Sequence, residues 1–254
     1  MTKIFSSLLF LSFIIGWELF CNISGVSKLV IPAPSEIGMV LWDGLYRGYL
    51  WLHIWVTSLE MALGLIIGCS IGFIAGLVLA ENKFLRDLLW PYILASQVIP
   101  KLALGPLFII WFGFGMTSTV VITALICFFP LLENTFTGVQ YIPPEKRELF
   151  RMLRASKLQT LIKLKIPHGM PTILAGIRVS VVLALVGAVV GEFLSGQEGL
   201  GATIIAAQGM MDSALMFAVF VIITIVGLVF YLVATVLESF LLRHHKEGTF
   251  NGKY

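Results

Sequence analysis

Residues 51–80 form an unbroken apolar run with one formal charge, Glu60. As a helix, that run would rise about 45 Å at about 1.5 Å per residue, more than the roughly 30 Å of hydrocarbon in a bilayer. Only a helix pairs all its backbone N–H and C=O groups inside one segment, so a membrane-spanning helix is expected. Similar runs occur at residues 4–24, 88–115, 118–139, 172–194 and 214–242. The composition agrees: 12% of residues are charged and 58% hydrophobic, where ordinary globular chains carry about 25% charged residues. The expected fold is all-α, a polytopic membrane protein with about six transmembrane helices.

The ends of the runs carry further signals. Lys3 precedes the first run as it would in a secretory signal, but no small-x-small cleavage site follows, so it is read as a first span. Pro100 and Pro106 each remove a backbone donor inside the run at 88–115, which predicts a kink or break there. The loop after the first span reads VIPAPSEIGMVLWDGL. Its Pro-rich start, followed by Ser35 and Glu36, predicts a short helix whose Met39, Val40, Leu41, Trp42 and Leu45 lie at the membrane surface. Gly64, Gly68, Gly72 and Gly76 recur every fourth residue and mark a close-packing seam, within the chain or between two copies. Cys21, Cys69 and Cys127 lie in apolar runs without metal-ligand spacing and read as small buried residues.

Orientation follows from the Lys and Arg distribution. With the N-terminus in the cytoplasm, thirteen of the 17 Lys and Arg residues fall inside. They are Lys3, Lys83, Arg86, seven between Lys146 and Lys165, and Arg243, Lys246 and Lys253, against Lys28 and Arg47 outside. Lys101 and Arg178 remain within spans. His53 then lies outside and His168, His244 and His245 inside, which gives no metal site.

The most basic stretch, RELFRMLRASKLQTLIKLKIP, separates the fourth and fifth spans. Pro143 and Pro144 stop the fourth span, and Glu145 opens a new helix at its positive end. Arg147, Arg151 and Arg154 share one face, while Leu149, Phe150, Met152 and Leu153 fill much of the rest. A second short piece follows from 158 to 164, with Leu158, Leu161 and Ile162 on one side. Pro167 and Pro171 are expected to end it before the fifth span. Such a helix either rests on anionic lipid or docks into the groove of a partner.

Several blocks here resemble the integral-membrane permease subunits of ABC importers. That family carries a cytoplasmic pattern of E-A-A, a glycine, and then I-x-L-P. Here Glu148, Leu149 and Phe150 stand at the first block, and Leu164, Lys165, Ile166 and Pro167 at the last. The stretches RASKLQTLIKLKIPHGMPTILAGIRVS, GEFLSGQEGLG and IPKLALGPLFIIWFGFG are similar to blocks of the nitrate, taurine and sulfonate branch. The resemblance covers about residues 58–242. Leu149 and Phe150 replace two alanines of the pattern. Arg154 replaces its glycine, so either Arg154 adopts a strained turn or the first helix continues through it.

The resemblance implies a type I importer fold with a coupling segment at 144–167 inside a transmembrane domain at 58–242. Residues 1–57 precede that domain and a cytoplasmic tail, 243–254, follows it. It also implies a bacterial inner membrane, two copies of a separate ATPase subunit, an extracytoplasmic solute-binding protein, a second permease copy in a homodimer, and no nucleic acid. The sequence has no G-x-x-x-x-G-K-[ST]. The chain itself is therefore expected to be no enzyme and to hold no cofactor, with ATP and Mg on the partner. The expected ATPase-docking residues are Glu148, Leu149, Phe150, Leu153, Arg154, Ala155 and Ser156. The expected mechanism is alternating access, with a stand-alone secondary transporter or channel as the alternative.

Ionisable groups within spans are costly and are candidates for the translocation pathway or a gate. Lys101 either meets the solute or pairs with Glu60, Glu133 or Glu192. Arg178 is expected at a gate or in an interhelical pair, and Glu192 at an outer gate or in a hydrogen-bonded structural role. Glu133 lies near the inner end of the fourth span.

Overall fold

A computed structural model describes residues 2–242, apart from 26 and 28. Lys28, Arg243, Lys246, Lys253, His244, His245 and the tail at 243–254 lie outside the described residues. Eleven α-helices occur among those described: α1 (Thr2–Ile23), α2 (Pro34–Tyr46), α3 (Tyr49–Glu81), α4 (Lys83–Val98), α5 (Gly105–Phe112), α6 (Met116–Gln140), α7 (Pro144–Met152), α8 (Lys157–Thr160), α9 (Ile166–Ser195), α10 (Leu200–Gly209) and α11 (Ser213–Leu241). Four are long and apolar enough to cross a membrane: α3, α6, the run Lys157–Ser195 and α11. Counted as one bent span, α4 and α5 make a fifth, and α1 adds a shorter apolar stretch, Leu8–Ile23.

Helix starts follow local chemistry. Asn82 caps α4 by accepting from the Leu85 N–H at 3.1 Å, and Asp212 caps α11 by accepting from the Leu215 N–H at 2.9 Å. Pro34 occupies the first turn of α2. The Glu18 carboxylate of α1 reaches across to accept from the Ser35 N–H at 3.0 Å and its hydroxyl at 2.8 Å. Met39 and Trp42 of α2 are exposed as expected, but Leu41 and Leu45, expected at the membrane surface with them, pack inward beside Leu50, Leu200 and Val219.

The core is a three-helix seam of α3, α6 and α9. The four-residue glycine repeat of α3 lies within the chain, against α6. A Cβ on Gly72 would stand 2.5 Å from the Phe128 carbonyl, and one on Gly76 would stand 2.7 Å from that of Leu132. Hydrocarbon supplies no hydrophobic drive between helices, so close backbone approach is how such helices gain dispersion contact. On the other side of α6, the Cys127 thiol donates to the Ser180 carbonyl at 3.4 Å and the Ser180 hydroxyl to the Cys127 carbonyl at 3.1 Å, joining α6 to α9.

The prolines act in two ways. At 99–106 the chain breaks as expected. A 3-10 turn, Lys101–Leu104, separates α4 from α5, and the two pieces bend by 83°. At Pro167 and Pro171 the expected stop is absent. From Lys157 the helix runs on through both to Ser195. A π-helical turn, Leu161–Lys165, in which the Ile166 N–H donates to the Leu161 carbonyl, precedes Pro167, which stands in the first turn of α9 where the hydrogen-bond register passes from π to α. Pro171 follows one turn later at an exposed position. The second short piece and the fifth span are thus one rod.

Candidate functional site

Between α6 and the rod, three residues, Tyr141–Pro143, lead into α7. The helix ends in a Schellman turn: the Ala155 N–H donates to the Phe150 carbonyl at 3.0 Å and the Arg154 N–H to the Arg151 carbonyl at 3.0 Å. Its left-handed position is Arg154, at φ 52°. Of the two expected alternatives, the strained turn is the one present, at a cost of about 1–2 kcal/mol for a residue with a Cβ. The next helix then starts from a capping box. Ser156 Oγ accepts from the Gln159 N–H at 3.2 Å, and Gln159 Oε1 accepts from the Ser156 N–H at 2.8 Å.

This segment leaves an apolar stripe uncovered. Leu149, Met152 (81% exposed) and Leu153 (68% exposed) stand out from α7, and Leu158 and Ile162 from the rod. Glu148, Arg154 and Ser156 are exposed, and Phe150 and Ala155 are half-buried. Met152, Leu158 and Ile162, which the sequence places on the apolar faces of the two pieces, extend the patch beyond the expected docking residues. Lys165 Nζ donates to Glu81 Oε1 at 2.5 Å, fastening the π turn to the end of α3.

The charges within the spans do not form one site. Lys101 lies on the 3-10 turn with its ammonium 4.5 Å from the centroid of the Phe129 ring. Glu133, one helical turn beyond Phe129 on α6, is exposed. These two face the same side of the bundle. Arg178 Nε is 2.9 Å from Glu238 Oε2, an α9–α11 pair in which Glu238 had not been singled out.

Glu192 lies at the opposite end from α7, 1% exposed, and accepts from Thr57 Oγ1 at 2.6 Å and from the Gly201 N–H at 2.5 Å. The Leu200 N–H donates to Thr57 Oγ1 at 2.8 Å, and the Gly199 N–H to His53 Nδ1 at 3.1 Å. The orphan donors at the start of α10 are thus capped by side chains of α3 and α9. The E…G-L-G pattern acquires a steric reason. A Cβ on Gly199 would run into the Glu192 carboxyl, and one on Gly201 would come within 2.9 Å of its Cβ. Glu60, 2% exposed, adjoins Glu192, and Glu60 Oε2 has no hydrogen-bond partner. So two of the three carboxylates considered as partners for Lys101 are occupied with each other. Sequence reasoning gave His53 no role and missed Thr57 and the helix α10 itself. Their signal, single polar residues in an apolar run, does not say what they cap.

Residues 68–244 match the family described as binding-protein-dependent transport system inner membrane component. The chain belongs to that family. The permease is 36% identical, over 91% of its length and 86% of the relative's, to the riboflavin transport system permease protein RibX of Chloroflexus aurantiacus. It is 32% identical to the formylaminopyrimidine transport permease protein ThiX of Halalkalibacterium halodurans, over 95% of this chain and 96% of that one. It is also 32% identical to the putative aliphatic sulfonates transport permease protein SsuC of Bacillus subtilis, over 83% of this chain and 76% of that one. The permease is accordingly an all-α, multi-pass membrane protein of the ABC transporter type.

Proposed function

We propose that the permease is the membrane-spanning half of an ATP-driven importer, and that it receives force at α7–α8 from a separate ATPase subunit carrying ATP and Mg. The observation that carries this reading is the continuity of the rod. The uncovered apolar stripe runs from α7, which is three residues from α6, across the Arg154 turn onto Leu158 and Ile162 of the unbroken helix that continues as α9. Displacing the stripe displaces both spans, which is the two-state coupling that alternating access needs.

The excess of Lys and Arg at the α7 end supports placing that end, with both termini, in the cytoplasm of a bacterial inner membrane. His53 and α10 then face the external binding protein. Glu133, exposed within a span, needs shielding from lipid. A second copy of the chain placed over the Lys101–Glu133 face would provide it and would enclose the pathway between the copies. A cation at the break suits an electron-rich solute. The names of two relatives point to a heterocyclic one, and that of the third to a sulfonate.

Pull-down of the co-expressed ATPase subunit tests the docking. Glu148→Lys should abolish the association and solute uptake together, and unchanged association with unchanged uptake would remove the assignment. Titrating the cognate binding protein with riboflavin-like, pyrimidine and sulfonate compounds tests the solute class.

A further inference from the structure

The face of α7 opposite the apolar stripe looks onto an open cavity of about 790 Å³, bordered by the ends of α3 and α6, the start of α4, and α8. Its charged lining is Glu81, Arg86, Arg147, Arg151, Lys157 and Lys165. Glu81 is already bound to Lys165. Arg86 Nε is 3.5 Å from Asp87, a residue outside the lining. Among the described residues no carboxylate lies within ion-pair distance of Arg147, Arg151 or Lys157. Glu81 and Lys165 offset each other, so four further cations converge on one volume with no carboxylate of the lining left to balance them.

Like charges gathered in a concave site raise one another's energy and concentrate anions there. The planar guanidinium groups of Arg147 and Arg151, one turn apart, match the oxygens of a phosphate. The cavity lies beside the ends of the apolar helices α3 and α6, which the proposed orientation puts near the cytoplasmic headgroups, with Tyr141 in its wall. Basic pockets between membrane helices on that side hold phospholipid headgroups.

We propose that this cavity binds the phosphate of an anionic phospholipid. Such a lipid would brace the basic face of α7 while the opposite face stays free for a partner. The cations of the site are not among the proposed ATPase-docking residues, although Ala155 belongs to both linings, and the site needs no ATPase to fill.

The test is native mass spectrometry of the full-length chain, delipidated in non-ionic detergent. Phosphatidylglycerol, phosphatidylcholine and inorganic phosphate are added in separate titrations. Phosphatidylglycerol should be retained at least about fivefold better than phosphatidylcholine. Arg147→Gln with Arg151→Gln should weaken its retention by about twenty-five-fold, at roughly fivefold per cation. Lys83→Gln, which removes an exposed cation of the same end outside the lining, should leave retention unchanged. Equal loss in Lys83→Gln would reduce the effect to general surface charge and overturn the site. Binding of inorganic phosphate without the lipid would keep the phosphate chemistry and overturn the lipid as its source. Equal retention of both lipids would overturn the proposal outright. ATPase pull-down on the same variants reports separately on docking.

Discussion

At one end of the bundle, Thr57, Glu60 and Glu192 are almost fully out of solvent, and side chains from α3 and α9 cap the start of α10. At the other end, Leu149, Met152 and Leu153 are exposed and Arg147, Arg151 and Lys157 have no acidic partner among the described residues. Buried polar groups must be paired within the chain, because leaving one unmade costs about 1–3 kcal/mol. Exposed apolar groups and unpaired cations carry no such demand and can wait for a partner. Apart from Glu60 Oε2, the buried polar groups named at the α10 end find their partners within a single chain. The α7 end has the character of a surface that other molecules finish.

The two ends also share a device. Met211 follows α10 at φ 57° in a Schellman turn like that of Arg154, with the Asp212 N–H donating to the Ala207 carbonyl at 2.9 Å and the Met211 N–H to the Gln208 carbonyl at 3.0 Å. In both places a non-glycine residue takes the position that glycine usually fills, so the contrast between the ends lies in what surrounds the turn.

Four substitutions test the contrast, in order of effect on the chain's own stability. Gly199→Ala should be the most damaging, because its φ of +107° disfavours a side chain and the new Cβ would strike the Glu192 carboxyl. A loss on the order of 3 kcal/mol is expected, read as a drop in thermal unfolding temperature in detergent. An unchanged midpoint would mean that the α10 end is loosely held. Thr57→Val removes the acceptor of the Leu200 N–H and a donor to Glu192, with an expected loss of about 2 kcal/mol in the same assay. A neutral result would show that solvent reaches the site. Arg154→Gly should raise stability by about 1 kcal/mol, as should Met211→Gly, by relieving the left-handed strain. A gain at Met211 with a loss at Arg154 would show that the arginine side chain contributes more to the α7 end than its turn costs.

Much of this was legible in the residues. The long apolar runs give helices, because hydrocarbon leaves no other way to pair the backbone within a segment. The break at Pro100 and the helix at Pro34 follow from missing donors and fixed φ. The stripe on α7 follows from spacing alone. Pro167 and Pro171 were misread as a stop, since a π turn upstream moves Pro167 into a helix's first turn, and nothing local announces that turn. The strained Arg154 was one of two open alternatives, and the choice depends on hydrogen bonds to Phe150 and Arg151 that only the folded segment forms.

By itself the sequence determined that the chain crosses a membrane as helices, where its cations gather, and which family it belongs to, because these depend on residue type and order. Tertiary structure decided that the glycines of α3 meet α6 and that Glu192 caps α10 with Thr57. It also decided that Lys101 sits over Phe129 and that four cations share one cavity. Each of these joins residues distant along the chain, and their distances are set by how the helices cross, which no single segment encodes.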